Sequence, residues 1–322
     1  MSPADDARAR SGAAVTLTWP QPDIALVTMV REREMNTLSL ELLNELDEAL
    51  NASVAGGARV LVITGQGRAF CAGAHLNYFV QEDPRIGSGA FALRDRYLQR
   101  IATVFDRIET LPIPVISAIN GFALGGGCEM SLACDFRLMA DHAKIGVPEV
   151  RIGALAGAGG VQKLHRLVGR GKALEWILLG SHVTASEALA HGLVTAIHPA
   201  ADLMPAAMEL AGRFRLLGPR AVAQSKMAVR MCGDADLATA RNIGLEALAM
   251  LIDVLNPQRI VLGGLAWRMG DALLVPMHKV IAREALPQTL RACEIVPAAL
   301  GEKIGDVSAL CVAMGLEGKS LL

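Results

Sequence analysis

Residues 119–135 read INGFALGGGCEMSLACD. They follow the apolar run PVISA at 114–118, so a buried strand passes through a turn into three consecutive glycines, Gly125, Gly126 and Gly127. The segment that the glycines open, CEMSLACD, has the small residues and spacing of a packed helix. One reading of the glycines is tight packing, since a strand-to-helix turn often needs a residue without a Cβ. The other leaves backbone N–H groups facing a ligand oxygen, with the positive end of the helix favouring negative charge that develops there. Taken alone, the loop does not decide between them.

The same theme recurs on both sides. RVLVITG (Arg59–Gly65) predicts a buried strand ending in a glycine turn, followed by a second glycine loop, CAGAH (Cys71–His75). DIALVTMV (Asp23–Val30) predicts a strand, and Ser39 caps a helix whose apolar residues Leu42, Leu43, Leu46, Ala49 and Leu50 recur at i, i+3, i+4. Ala90–Glu109 predicts one long amphipathic helix, FRLMA (Phe136–Ala140) a strand, and GALAGAGGVQKLHRLVG (Gly153–Gly169) a loop entering a helix. Three strand–loop–helix segments between residues 20 and 170 predict an α/β architecture built with crossovers rather than hairpins. Residues 171–233 are mainly helical, apart from an edge strand at Leu193–Pro199.

After a helix over about 236–255 the pattern restarts. RIVLGG (Arg259–Gly264) predicts a new buried strand, and a helix, the strand CEIVPAAL (Cys293–Leu300) and a last helix near 306–314 follow. A second unit is therefore expected from about Ile252. The polar residues 1–13 are expected to form a frayed, disordered tail.

Composition excludes several classes of function. In 322 residues, 31 basic and 32 acidic side chains leave no excess for a phosphate backbone, and 4% aromatics leave little for base stacking, so nucleic acid is not the expected partner. A mean hydropathy of +0.37 reflects Ala, Leu, Val and Gly, without a run of about 18 uncharged apolar residues, so no membrane span is expected. Six cysteines without a CxxC pair read as buried thiols of a cytoplasmic protein that binds no metal.

HExxH, Walker A, GxSxG and GxGxxG motifs are absent, and the seven histidines are scattered singly. Two glutamates stand out instead. Glu129 follows the glycine cluster, and Glu149 lies twenty positions later in KIGVPEV (Lys144–Val150), where Pro148 predicts an extended approach. Each alone would read as a solvated surface group. Both sit among small and apolar residues, however, and paired carboxylates beside an oxyanion site suit general acid–base addition of water.

FCAGAHL, INGFALGGGCEMSLACD, VPEVRIGALAGAGGVQKLHRLVG and LLGSHVTASEALAHGLV, in this order, resemble the crotonase superfamily of enoyl-CoA hydratases and isomerases over about residues 15–250. The resemblance implies a ββα spiral core over 14–200 and a helical trimerisation region over 201–255, assembled as a homotrimer or homohexamer. It matches Ala74 and Gly126 to the amides that bind the thioester carbonyl. Glu129 would activate water for addition at Cβ and Glu149 would protonate Cα. Ala72, Leu76, Phe79, Leu98, Phe122 and Gly127 are the implied substrate-binding residues. No cofactor is implied, because coenzyme A arrives as part of the acyl-CoA substrate. His75 stands where the family usually has aspartate, and Ala156 where it has proline. Acyl-CoA isomerisation or lyase chemistry, and a catalytically inactive assembly protein, remain open as alternatives.

Two later stretches, MLIDVLNPQRIVLGGLAWRMGDALLVPMHKVI and CEIVPAALGEKIGDVSALCVAMG, resemble the C-terminal piece of ROK-family sugar kinases. They imply a small α/β appendage over 256–322. The phosphate loop, catalytic aspartate and zinc motif of those kinases have no counterpart, so sugar kinase activity is not implied.

Overall fold

The computed structural model describes residues 13–233, 252, 258–262 and 270–297. The chain divides into two compact units, Met1–Ala223 and Gln224–Leu322.

In the first unit, β1 (Val15–Gln21), β2 (Ile24–Met29), β3 (Val60–Gly65), β5 (Val115–Ile119), β7 (Phe136–Ala140) and β10 (Ala196–His198) form a six-stranded sheet in the order β1-β2-β3-β5-β7-β10. Every residue of β3 and β5 is buried, as expected of parallel strands covered on both faces. A smaller sheet, β4-β6-β8-β9, contains β4 (Ala69–Cys71), β6 (Phe122–Leu124), β8 (Lys144–Gly146) and β9 (Val183–Thr184). Successive turns of chain give one strand to the large sheet and the next to the small one. They then close with a helix: α5 (Gly126–Ala133) follows β6, and α6 (Gly160–Val168) comes after β8. This is the expected ββα spiral.

Several details correct the sequence reading. β1 and β2 form an antiparallel hairpin, where crossovers alone were expected; β1 is an edge strand with Val15 buried and Trp19 exposed. α1 (Leu40–Ala55) does begin at Ser39, whose hydroxyl accepts the Leu42 N–H at 3.2 Å. The single helix expected over 90–109 is present as one continuous helical run, but it is not α-helical throughout. After α2 (Asn77–Val80) come α3 (Gly89–Leu93), one π-helical turn at Arg94–Leu98, and α4 (Gln99–Thr110). The π turn buries Tyr97 and leaves Leu98 exposed. α5 starts two residues before Cys128, because Gly125 at φ +55° turns the chain there. α7 (Arg170–Leu178), α8 (Ala185–Ala190), α9 (Leu203–Phe214) and α10 (Pro219–Cys232) follow.

In the second unit, β11 (Arg259–Leu262) pairs in parallel with β12 (Glu294–Pro297). Two helices, α11 (Asp271–Glu284) and α12 (Pro287–Ala292), stand where one was expected, Pro287 opening the second. Ile252, Met277, Ile281 and Ala285 form a small core. β11 alternates between exposed and half-buried residues and is not the buried strand expected from RIVLGG. The tail over 1–12, the helix expected over 236–255 apart from Ile252, residues 298–300 and the helix near 306–314 lie outside the described residues.

Among the described residues no helix is long and apolar enough to cross a membrane.

Candidate active site

Three loops leave the same end of the small sheet. Cys71 pairs with Ala123, and Ala123 with Ile145, so these three residues stand in one row across β4, β6 and β8. Beyond that row the strands run into the 72–75 loop, the glycine cluster and the Glu149 turn. The carboxyl ends of adjacent parallel strands thus gather the residues that the sequence singled out.

The first loop is held by residues 35–38. Ala72 N–H donates to Met35 O at 3.0 Å, and Leu38 N–H to Gly73 O at 2.9 Å. Reaching this alignment takes Met35 and Asn36 through positive φ, +52° and +54°, which non-glycine residues seldom adopt. Asn36 is buried and anchors the bend by donating to Ala69 O at 2.8 Å and Gln66 O at 3.1 Å. Gly73 has φ +99°, and a Cβ there would meet Leu124 O at 2.7 Å and Gly126 N at 3.2 Å, so the two glycine loops touch. A Cβ on Gly126 would lie 3.7 Å from Ala74 N. Neither the Ala74 nor the Gly126 N–H donates to another group among the described residues. Gly126 also opens α5, whose positive end adds to these side-by-side donors. The pair is suited to one oxygen that gains negative charge.

Glu129, in the first turns of α5, is 4% exposed and accepts Ala158 N–H at 2.8 Å and Gly160 N–H at 2.9 Å on Oε1. Burial pushes its carboxyl above the ordinary value; the two amides, and then the Lys163 ammonium, pull it back. Lys163 is itself paired with Glu109.

Glu149 is the first residue of a 3-10 turn, Glu149–Ile152. Pro148, at φ −84° and ψ 13°, starts that turn, so the extended approach expected at Glu149 is absent; a proline restricts the residue before it, not the one after. Glu149 Oε2 is buried without a hydrogen-bond partner among the described residues. Burial first, and then the charge of Glu129, push this carboxyl up to about 7.

The remaining sequence-predicted residues are placed as follows. Leu76, Phe79 and Leu98 expose 54%, 45% and 40% of their surface. Phe122 is half-buried on β6, opposite Ala69. The Ala72 N–H is spent on Met35 O. At Gly127 a Cβ would lie 1.9 Å from Cys71 O, so this glycine seats α5 on β4. Ala156 is buried in the loop before α6. His75 is held on its own terms: Nδ1 lies 3.0 Å from the Thr37 hydroxyl, and the ring packs on Tyr78 at 4.7 Å. Cys71, Cys128 and Cys134 are buried thiols in no disulfide, Cys232 and Cys293 are partly exposed, and Cys311 lies outside the described residues.

Tyr97, Lys163 and Thr37 escaped the sequence reading. Tyr97 accepts the His75 N–H at 2.6 Å and donates to Leu38 O at 2.8 Å. Its rarity was the available signal, since the chain has only two tyrosines.

Comparison with known proteins agrees with this arrangement. The family model described as enoyl-CoA hydratase/isomerase matches residues 21–259. The Bacillus subtilis protein YngF is 41% identical over 245 residues, 75% of this chain and 91% of the relative. A short-chain-enoyl-CoA hydratase of Clostridium acetobutylicum is 37% identical over 227 residues, 70% of this chain and 84% of the relative. A crystal structure of an enoyl-CoA hydratase from Bacillus anthracis superposes with a TM-score of 0.69 at 38% identity, covering 76% of this chain and 93% of that one. This chain belongs to the enoyl-CoA hydratase/isomerase family and has its crotonase-type α/β fold.

Proposed function

We propose that this protein is an enoyl-CoA hydratase, a hydro-lyase that adds water across the 2,3-double bond of a short- or medium-chain enoyl-CoA thioester. The observation that carries this reading is the pair of dissimilar carboxyls at one glycine turn. Glu129 is braced by two amides, whereas Glu149 is raised to about 7 with an unpartnered oxygen. Environments that push two carboxyls apart suit a base and an acid working together.

In this reading the thioester carbonyl accepts the N–H groups of Ala74 and Gly126. Water lies between the two carboxyls. Glu129 takes one of its protons as the oxygen attacks Cβ, and the electron pair of the double bond moves toward the carbonyl as an enolate. Glu149, protonated in a good fraction at neutral pH, gives its proton to Cα. The charge that develops on the thioester oxygen is met by the two amides, a contribution of typically about 3–4 kcal/mol per donor in comparable sites.

Leu76, Phe79, Leu98 and Phe122 would line the acyl chain, and Ala72 and Gly127 the loops around the thioester. Relatives named short-chain-enoyl-CoA hydratase and crotonyl-CoA hydratase, each 37% identical, favour a short chain. The presence of both glutamates favours hydration over isomerase or lyase chemistry. No cofactor enters the proposal beyond the coenzyme A of the substrate.

A homotrimer or homohexamer is proposed for the assembly: Leu174 and Leu178 of α7 and Leu179 just after it, with Ile152 and Leu155, leave apolar surface exposed on the single chain. The buried thiols, in no disulfide, suit a reducing, cytoplasmic compartment. The proposed organisation is a spiral core over 14–200, a helical region over 201–255 and an appendage over 256–322. The parallel pair β11–β12 with two intervening helices is in keeping with a ROK-like fragment there.

The test is Glu129→Gln. It should abolish hydration of crotonyl-CoA, followed as ¹⁸O uptake from labelled water, while acyl-CoA binding persists. An unaffected rate overturns the assignment.

A further inference from the structure

In a trans peptide the N–H and C=O point in opposite directions. The Ala74 N–H belongs to the Gly73–Ala74 peptide, whose carbonyl receives the Leu38 N–H at 2.9 Å. That bond turns the Ala74 N–H away from Leu38, toward the Gly126 side of the loop.

The next peptide, Ala74–His75, is fixed by other means. His75 N–H donates to the Tyr97 hydroxyl at 2.6 Å, and the same hydroxyl donates to Leu38 O at 2.8 Å. Both peptides flanking the Ala74 Cα are therefore tied to the backbone of Leu38, one directly and one through a phenol. The isolated parallel bridge between Leu38 and Ala74 records the same alignment.

The phenol is itself immobilised. Tyr97 has no exposed surface, and its ring meets Tyr78 edge-on at 4.9 Å and Phe79 edge-on at 6.1 Å. The π-helical turn at Arg94–Leu98 carries it, an irregularity that often marks a functional position. Its one proton goes to Leu38 O, leaving a lone pair for His75 N–H.

We propose that Tyr97 is a positioning residue for oxyanion binding, its hydroxyl locking the peptide after Ala74 so that the Ala74 N–H stays aimed at the substrate oxygen. The chemical meaning of this role rests on the hydratase reading above. Burial raises the phenol well above its ordinary range, so the hydroxyl keeps its proton at any working pH. A phenylalanine would keep the ring packing and remove both bonds, leaving His75 N–H and Leu38 C=O only the direct pairing of the Leu38–Ala74 bridge in place of the phenol clamp.

The experiment compares full-length wild type with Tyr97→Phe by three readouts. These are kcat and KM for crotonyl-CoA, the red shift of bound para-dimethylaminocinnamoyl-CoA, and hydrogen exchange over residues 72–78. The expected result is a fall in kcat of about 10- to 100-fold with KM near wild type, since small misplacements of reacting groups cost rates of this order. A smaller red shift should accompany it, because that shift reads polarisation of the thioester carbonyl, and exchange over 72–78 should quicken. Wild-type kcat and red shift in the variant overturn the proposal. Should wild type fail to hydrate crotonyl-CoA, the hydratase reading falls, and Tyr97 is judged by exchange alone: equal exchange in both proteins overturns its role. If Tyr97→Phe does not fold, meta-fluorotyrosine incorporated in a Tyr78→Phe background keeps ring and hydroxyl but weakens the oxygen as an acceptor. An unchanged red shift and unchanged exchange then overturn the proposal, and a reduced shift supports it.

Discussion

Glu149 Oε1 occupies the space that a side chain on Gly125 would need: a Cβ there would lie 2.8 Å away. Gly125 also sits at φ +55°, so two independent demands converge on the residue that precedes α5. Gly125→Ala should displace the carboxyl and strain the turn together. Misplacement of a reacting group commonly costs about 10²-fold in rate, and a loss of this size in kcat is expected, with circular dichroism like wild type. Unchanged kinetics would separate Glu149 from the chemistry.

The raised carboxyl of Glu149 predicts a definite pH dependence. As proton donor to Cα it must be protonated, so hydration should decline as pH rises through about 7. Glu149→Gln should lower kcat by about 10²- to 10⁴-fold and remove this alkaline limb from the profile. Stability responds with a definite sign as well. Between the ordinary 4.5 and about 7 the folded chain holds a proton that the unfolded chain has lost, so Glu149 lowers stability as pH rises through that window. Denaturation midpoints of wild type and Glu149→Gln should diverge in that interval, the wild type losing more.

Lys163 favours the ionised form of Glu129. Lys163→Met removes that cation, so Glu129 should hold its proton to higher pH. The acidic limb of the hydration profile is then expected to move to higher pH. A limb that stays in place would assign the tuning of Glu129 to its burial and the two loop amides.

Two helical glycines, Gly127 in α5 and Gly171 in α7, should respond oppositely to alanine. At Gly127 the new methyl would stand 1.9 Å from Cys71 O, within a helix already seated on β4. Overpacking of this kind costs about 1–3 kcal/mol. At Gly171, in α7, nothing lies within 4 Å of the added Cβ. Gly171→Ala is expected to stabilise by about 0.4–1 kcal/mol, largely by restricting the unfolded chain. Urea midpoints of the two variants give a direct comparison.

What the sequence made legible was whatever local pattern decides. Strands β3 and β5 are unbroken apolar runs buried on both faces, and Ser39 announces α1 by a hydroxyl that accepts from an N–H only three residues on. Glu129 and Glu149 were visible because carboxylates among small apolar residues are costly without a task. The parts that stayed hidden depend on distant partners or on one irregular turn. Tyr97 reaches His75 and Leu38 across 22 and 59 residues, and Thr37 meets His75 across 38. A π turn has no periodic signature, so the helix over 90–109 looked uniformly α-helical and Leu98 was singled out where its neighbour is the buried residue. The β1–β2 hairpin was missed because an edge strand with one buried residue, ending in Pro-Gln, gives little apolar signal.

The row formed by Cys71, Ala123 and Ile145 carries a consequence for how the chemistry is dimensioned. Ala74, Gly126 and Glu149 lie three, three and four residues beyond it (74 − 71, 126 − 123, 149 − 145). The small sheet thus acts as a ruler, with the ladder between its strands as the fixed edge and the loops as marks of nearly equal length. Adding one residue to any one of these loops would shift a single mark while the other two stayed in place. Of all small changes to the chain, such insertions are the ones that a well-folded protein would tolerate and the reaction would not.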